Sequence, residues 1–335
     1  MTVTGGLPLA DAVEVPTGAL DPDVMSRCLA PFLDAADAPR VVTARLVAVA
    51  PGRRAVIAYR TAGREGDGPS LIGKTYLDPQ RARRLHRVLA QLSALDIGVP
   101  RPVAHLPGLR MSVFTASGGR TLDRLAGAER EAGIVAAARW LATLHALPVS
   151  LDRRFDLAAE THNLDAWARL VADRQPAAAG RATLLARRLT ALAPRLELVD
   201  GVPIHKDFHY QHTLVEAGGM VVIDLDEARA GDPAFDVAHF AANLRLLALR
   251  ECITSGEPAP LESAFLDAYA SHTGYRCDAR HRWFGAYTSL KIARQLACAR
   301  GPRPVPSGAE LERQVGCILE EGLRSLAERA GGAAT

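Results

Sequence analysis

Two different periods govern the apolar positions of this 335-residue chain. Up to about residue 117 the pattern is mainly that of strands. Val41–Ala50, a Pro51-Gly52 turn and Ala55–Arg60 read as a β-hairpin. After a loop rich in glycine and charge (63–69), Leu71–Leu77 reads as a third strand and carries Lys74. A helix capped by Asp21 or Asp23 runs through Leu33. A second covers 79–95, where Ala82, Leu85, Val88, Leu89 and Leu92 recur every three or four residues. Pro100 and Pro102 precede a short strand pair that ends at Met111–Thr115. Beyond Gly118-Gly119 the period is helical, over 129–147, 162–174, 180–193, Asp236–Arg250, Leu261–His272, Tyr287–Arg300 and Ala309–Ala330. One interruption stands out. The runs Val202–Ile204 and Met220–Ile223, with a Gly218-Gly219 turn, predict a hairpin embedded among helices.

This order predicts an α+β, bilobal architecture: an N-terminal extension and helix (1–40, irregular at its start), a small β-rich lobe (41–117) and a large, mainly helical lobe (118–335). Gly118-Gly119 is the expected hinge. There is no internal repeat, and only the Ala/Gly tail is of low complexity. With 48% hydrophobic and 23% charged residues the chain can bury a large core. A net charge of +3 is too small to suggest a nucleic-acid partner. No apolar run reaches the roughly 18–20 residues that span a bilayer. Five scattered cysteines without a Cys-x-x-Cys pair fit reduced thiols, and Met1–Pro16 lacks the basic start and apolar run of a leader, so a cytoplasmic location is expected. Arginine is abundant, whereas Lys74, Lys206 and Lys291 are the only lysines.

The candidate chemistry concentrates in 205–236. Asp207 follows the run Val202–Ile204, and Asp224 ends the run Met220–Ile223. Carboxylates at the ends of neighbouring strands suit a divalent cation beside a general base, which phosphoryl transfer requires. The plainer alternative for Asp207 is a loop residue capping a turn. Asp224 at a buried strand end needs a metal or a basic partner, because an unpaired buried charge is costly. Asp226 either assists the metal or has a supporting role in the turn. Lys74, among apolar neighbours on an alternating strand, needs an anion.

Three blocks carry a family resemblance: His205, Asp207 and His209; Ile223-Asp224; and Gly231-Asp232-Pro233 with Asp236. They resemble the His-Gly-Asp-x-His-x-x-Asn, Ile-Asp-Trp/Phe and Gly-Asp-Pro-x-x-Asp blocks of the aminoglycoside phosphotransferase and choline kinase group, which has the bilobal protein-kinase-like fold. The similarity runs from about Val41 to about Arg300. It implies an ATP-dependent phosphotransferase acting on a hydroxyl of a small molecule (a sugar, nucleoside, antibiotic or other natural product), or on Ser/Thr of a peptide natural-product precursor. It implies Asp207 as catalytic base, Asp224 as ligand of Mg²⁺, and Lys74 on the ATP α/β-phosphates. The backbone at Phe114 and Ala116 would recognise adenine. The acceptor would lie between the 205–212 loop and the helices of 151–195 and 257–300. Since 151–195 holds more arginine than acid, a polycationic aminoglycoside is not the favoured acceptor.

Departures from the family pattern leave alternatives open. His212 stands where the family has its second, Asn, magnesium ligand. It ligates a metal through nitrogen, which favours Mn²⁺, Zn²⁺ or Fe²⁺ over Mg²⁺; or Gln211 supplies an oxygen; or turnover is lost and the chain is a pseudokinase-type binding module. The cluster His205, His209, His212 and Asp207 also raises a metal-dependent hydrolase. Lys206 replaces glycine and either brings charge to the transferred phosphoryl group or extends into solvent. Residues 79–95 contain no acid to pair with Lys74, leaving Gln91, Asp78 and Asp96 as substitutes. A glycine-rich phosphate loop is absent, and Arg53 and Arg54 either touch phosphates or, the favoured reading, form a solvated hairpin tip. Asp236, with Asp232 in a similar role, is expected to cap its helix and bond the 205–207 backbone. His145 reads as a core residue. His86, His105, His162, His239, His272 and His281 receive no role.

Overall fold

The computed structural model describes residues 15–33, 40–63, 66–68, 70–251, 259–298, 306 and 308–327. The irregular start, the Ala/Gly tail, Cys252 and the expected helix ends at Arg300 and Ala330 lie outside the described residues. The chain divides into two compact units, Met1–Gly119 with Val221–Asp226, and Arg120–Met220 with Glu227–Thr335.

In the first unit, α1 (Pro22–Leu29) starts where Asp21 accepts from the Asp23 and Val24 N–H groups and Pro22 sits in the first turn. Six strands follow: β1 (Arg40–Ala50), β2 (Arg54–Gly63), β3 (Gly66–Asp67), β4 (Leu71–Tyr76) and, after α2 (Pro79–Ser93), β5 (Pro102–Leu106) and β6 (Met111–Thr115). They form an antiparallel sheet in the order β1-β2-β4-β6-β5, with β3 on β2. Ala55, Ile57, Tyr59 and Thr61 alternate as the buried residues of β2, as a two-residue period requires. Met25 and Leu29 of α1 join Ile57, Tyr59, Leu71, Met111 and Val113 in one core. On β4 the same alternation puts Lys74 and Tyr76 on one face, and the register sets Arg54 of β2 opposite Tyr76. This face carries the first of two candidate clusters.

The second unit holds β7 (Arg120–Thr121), α3 (Gly127–Ala146), α4 (Leu157–His162), α5 (Leu164–Arg174), α6 (Ala179–Leu192), β8 (Val202–Ile204), β9 (Thr213–Glu216), the start of β10 (Gly219–Val222), β11 (Arg229–Gly231), α7 (Ala234–Arg250), α8 (Ala259–Thr273), α9 (Ala279–Ala297) and α10 (Gly308–Ala327). Its core joins Leu164 and Leu185 to Phe235, Trp283, Phe284, Tyr287, Leu290 and Ile318. The helix α7 is buried almost all round, so it serves as a fixed post for the loop that precedes β9.

The embedded hairpin differs from expectation. Val202–Ile204 pairs with Arg229–Gly231, not with Met220–Ile223, and the Gly218-Gly219 turn instead joins β9 to β10. Pro203 lacks a ladder donor, which a two-stranded edge pairing tolerates. A Cβ at Gly231 would stand 2.7 Å from Ile204 Cδ1 and 2.8 Å from Phe155 Cβ, so only glycine permits this approach. The helix expected from Tyr287 begins eight residues earlier, where Asp278 caps α9 through the N–H groups of Arg280 and His281.

Candidate active site

The first cluster lies on the β4 face. Lys74 Nζ is 2.7 Å from Asp224 Oδ1 and 2.5 Å from Asp226 Oδ2. Arg54 reaches Asp224 through both terminal nitrogens at 3.2 and 3.3 Å, and the Tyr76 hydroxyl donates to Asp226. Asp224 adopts the left-handed region at φ 64°, and the short turn that follows returns Asp226 to the same ammonium. Burial would strip Lys74 of its proton, but Asp224 and Asp226 outweigh it and raise its pKa. Burial, reinforced by the charge of Asp224, raises the pKa of Asp226.

Three expectations change here. Arg54 is not a solvated tip but a member of the site, whereas Arg53 is exposed. The partner of Lys74 is not taken from 79–95. Asp78 caps α2 and pairs with Arg84, Asp96 sits at φ 53°, and Asp226 stands where the helix acid was missing. On β6, Phe114 stacks its ring 6.0 Å from Lys74 Nζ. The Ala116 N–H already donates to the Ser70 carbonyl at 2.9 Å, so that amide is not offered to a base.

The second cluster surrounds Asp207. Asp236, fully buried in the first turn of α7, accepts the His205 and Lys206 N–H groups at 2.6 and 2.8 Å. His145 holds Asp236 from the other side at 3.4 Å and bonds the Tyr269 hydroxyl at 2.7 Å. Asp232 accepts from Val199 and Ala234 N–H groups. Phe208 stacks between Trp140 and Phe240, and Gln211 is tied to Asp123 at 3.2 Å. The loop is thereby fixed at both ends. Asp207 Oδ1 meets Lys291 Nζ at 2.9 Å and His239 Nε2 at 3.5 Å. Burial pushes its carboxyl up, but Lys291 and His239 more than compensate and hold it well below the usual carboxylate range. The His212 ring donates from Nδ1 to the Asp207 carbonyl at 2.9 Å. Asp207, His209 and His212 bring their ligand atoms within 4.8 Å of one another, a donor set able to hold a cation, while His205 is not part of it. A cavity of about 100 Å³ adjoins Asp207, His209, His239, Asn243, Arg250 and Gln295. It is large enough for a few waters rather than a whole acceptor.

Lys206 fits neither of its expected roles. Its ammonium is buried, 2.9 Å from Glu160 and 4.2 Å from the centre of the Phe235 ring, with Phe155 and Tyr287 completing an aromatic box. Its backbone has φ 71°, a conformation natural to glycine. Burial outweighs Glu160 and, helped by Lys291, lowers its pKa from 10.5 to about 8. Between these values the unfolded chain binds more protons, so this group makes the fold more stable as pH rises through that window. In ¹³C-lysine-labelled protein, one of three ε-carbon signals should titrate near pH 8 and vanish in Lys206→Gly. A titration confined to high pH would refute the buried placement.

Residues 57–283 match the family model described as "Phosphotransferase enzyme family". The chain belongs to this family. The solved structures show that it shares the protein-kinase-like fold. A candidate aminoglycoside phosphotransferase from Ralstonia eutropha is 13% identical, with a TM-score of 0.61 over 92% of this chain and 98% of the other. Choline kinase LicA from Streptococcus pneumoniae is 15% identical, with a TM-score of 0.59 over 90% and 98%. Amicoumacin kinase hAmiN, solved with AMP-PNP, Ca²⁺ and Ami, is 15% identical, with a TM-score of 0.60 over 90% and 92%. At these identities the likeness is one of fold. No curated protein matches. The phosphotransferase therefore has a β-rich N-terminal region and a helical C-terminal part, and none of its described helices is long and apolar enough to cross a membrane.

Sequence reading missed Lys291, His239, Glu160 and Tyr76. His239 had a legible signal, since it lies three residues after Asp236 and so shares its helix face. Lys291 had only its rarity.

Proposed function

We propose that this phosphotransferase moves the γ-phosphoryl group of ATP to a hydroxyl of a small molecule. The observation that carries this reading is the Lys74 ammonium seated between Asp224 and Asp226 at 2.7 and 2.5 Å. It supplies a phosphate-holding cation beside carboxylates suited to a hard divalent ion. Lys74 and Arg54 would hold the phosphates. Asp224, assisted by Asp226, would hold Mg²⁺, since carboxylate oxygens fit that ion, and the ion when bound would neutralise phosphate charge. His212 offers nitrogen, and its Nδ1 is engaged by the Asp207 carbonyl. A metal bond from this ring would come from Nε2 and would favour Mn²⁺. Asp207 would accept and orient the acceptor hydroxyl.

The surroundings of Asp207 bear on the acceptor. Lys291 and three histidines face this carboxylate, and Arg250 lines the adjoining cavity, in which Asp207 is the one acid among the described residues. This supports a neutral or anionic polyol over a polycation. A small-molecule acceptor also agrees with the choline and amicoumacin kinases whose fold it shares. The test is ADP release with ATP and Mg²⁺ or Mn²⁺ against sugars, nucleosides, natural-product alcohols, an aminoglycoside and a Ser/Thr peptide, followed by ³¹P detection of the product. Transfer to a neutral or anionic alcohol is expected. Nucleotide binding without transfer to any compound would instead support the non-catalytic module.

A further inference from the structure

Asp207 is approached from two helices by residues that the family blocks do not include. Lys291 of α9 stands 2.9 Å from Oδ1, and His239 of α7 stands 3.5 Å from the same oxygen. Thr288, fully buried three residues before Lys291 on the same helix face, bonds His239 Nδ1 at 3.2 Å. His239 is 2% exposed, and burial keeps its ring neutral, with a pKa lowered to about 4. When the Thr288 hydroxyl donates to Nδ1, the ring hydrogen lies on Nε2 and faces Asp207. Lys291 thus hydrogen-bonds Oδ1, and the His239 ring faces the same oxygen at 3.5 Å without completing a hydrogen bond. The other oxygen, Oδ2, stands 4.0 Å from His209 Nε2 and 3.9 Å from His212 Nδ1, beyond hydrogen-bond reach.

We propose that Lys291, with the Thr288-bonded His239 facing the same oxygen, is a positioning residue that fixes Asp207 through Oδ1 and presents Oδ2 to the acceptor hydroxyl. The inference rests on the phosphotransferase reading and names a determinant within that same site. A carboxylate gripped at one oxygen cannot turn about its last bond, so the hydroxyl meets an acceptor of fixed direction. As the acceptor oxygen bonds to phosphorus and the bond to ADP breaks, the hydroxyl proton leaves toward Oδ2. The choice of lysine is informative in a chain with three lysines and abundant arginine. An ammonium is a compact charge that can hold one oxygen, whereas a guanidinium fork tends to engage both oxygens of a carboxylate.

With water as the acceptor, MgATP hydrolysis provides the assay. Lys291→Met should lower kcat at least about tenfold, with the KM for ATP changed less than about twofold. Lys291→Arg keeps the charge but should recover only part of kcat, because its fork takes up Oδ2. Wild-type kcat in either variant would overturn the proposal, since a purely structural charge is rescued by arginine. The three lysines give a second readout through ¹³C labelling of their ε-carbons, assigned by single substitutions. Asp207→Asn should move the Lys291 signal and leave the Lys74 signal in place. An unmoved Lys291 signal would refute the pairing. If the wild-type protein hydrolyses no ATP and transfers to no acceptor, the phosphotransferase reading fails, and this lysine signal still decides whether the pairing exists.

Discussion

Asp207→Asn should retain the fold and ATP affinity while phosphoryl transfer falls by roughly 10²–10⁴. The amide keeps the size of the side chain and one acceptor oxygen for Lys291, 2.9 Å away in the native protein. It loses the negative charge and with it the ability to take or direct the hydroxyl proton. The loop itself should hold, because its backbone is fixed by Asp236 and its packing by Phe208, not by the Asp207 carboxylate. Single-turnover transfer and calorimetric titration of an ATP analogue separate the two effects. Activity above about one tenth of wild type would remove Asp207 from its assigned role. The pH profile provides a further check. Because Lys291 and His239 hold the carboxyl well below its ordinary range, Asp207 should remain ionised as pH falls through 4–5. Any acid limb of the wild-type rate near neutrality must then belong to another group.

Local pattern carried most of the fold because local physics decides those elements. Asp21 and Asp78, each followed by proline, mark helix starts that the structure keeps, and the Pro51-Gly52 turn sets the register of β1 against β2. The same reasoning misassigned Val202–Ile204, whose partner Arg229–Gly231 is distant in sequence and is admitted by the missing Cβ of Gly231. In the site, Asp207, Asp224 and Lys74 were legible as charges in apolar or loop settings that demand partners. The identity of those partners was not. Arg54 became a ligand of Asp224 only through the strand register that sets it beside Tyr76, and Lys291 reached Asp207 from 84 residues away through helix packing. Lys206 shows the converse. Its sequence position beside Asp207 suggested a role in transfer, yet its side chain turns away into the box of Phe155, Phe235 and Tyr287.

Lys74→Met should be the most damaging change in the first unit, costing about 3–5 kcal/mol in stability at neutral pH. Lys74 is 10% exposed and contacts two carboxylates that are themselves 16% and 4% exposed, so its loss leaves buried negative charge poorly compensated. Arg54 remains as a cation, but at 3.2 and 3.6 Å it stands farther from both. The pKa of Asp226, already raised by burial and by Asp224, should rise further and bring proton uptake toward neutrality. A carboxylate whose folded pKa exceeds its unfolded value binds more protons in the native state, so its contribution to stability decreases as pH rises. The variant should therefore recover part of its deficit at pH 5 and lose most at pH 8. Urea unfolding at both values measures this directly, and an equal deficit at both would exclude the coupled carboxylates as its cause. Lys74→Arg should restore most of the stability but not the rate, because a guanidinium fork cannot reproduce a point charge aimed at a phosphate. The expected loss of transfer in Lys74→Met is about 10²–10³, similar to the removal of one preorganised donor from a developing charge.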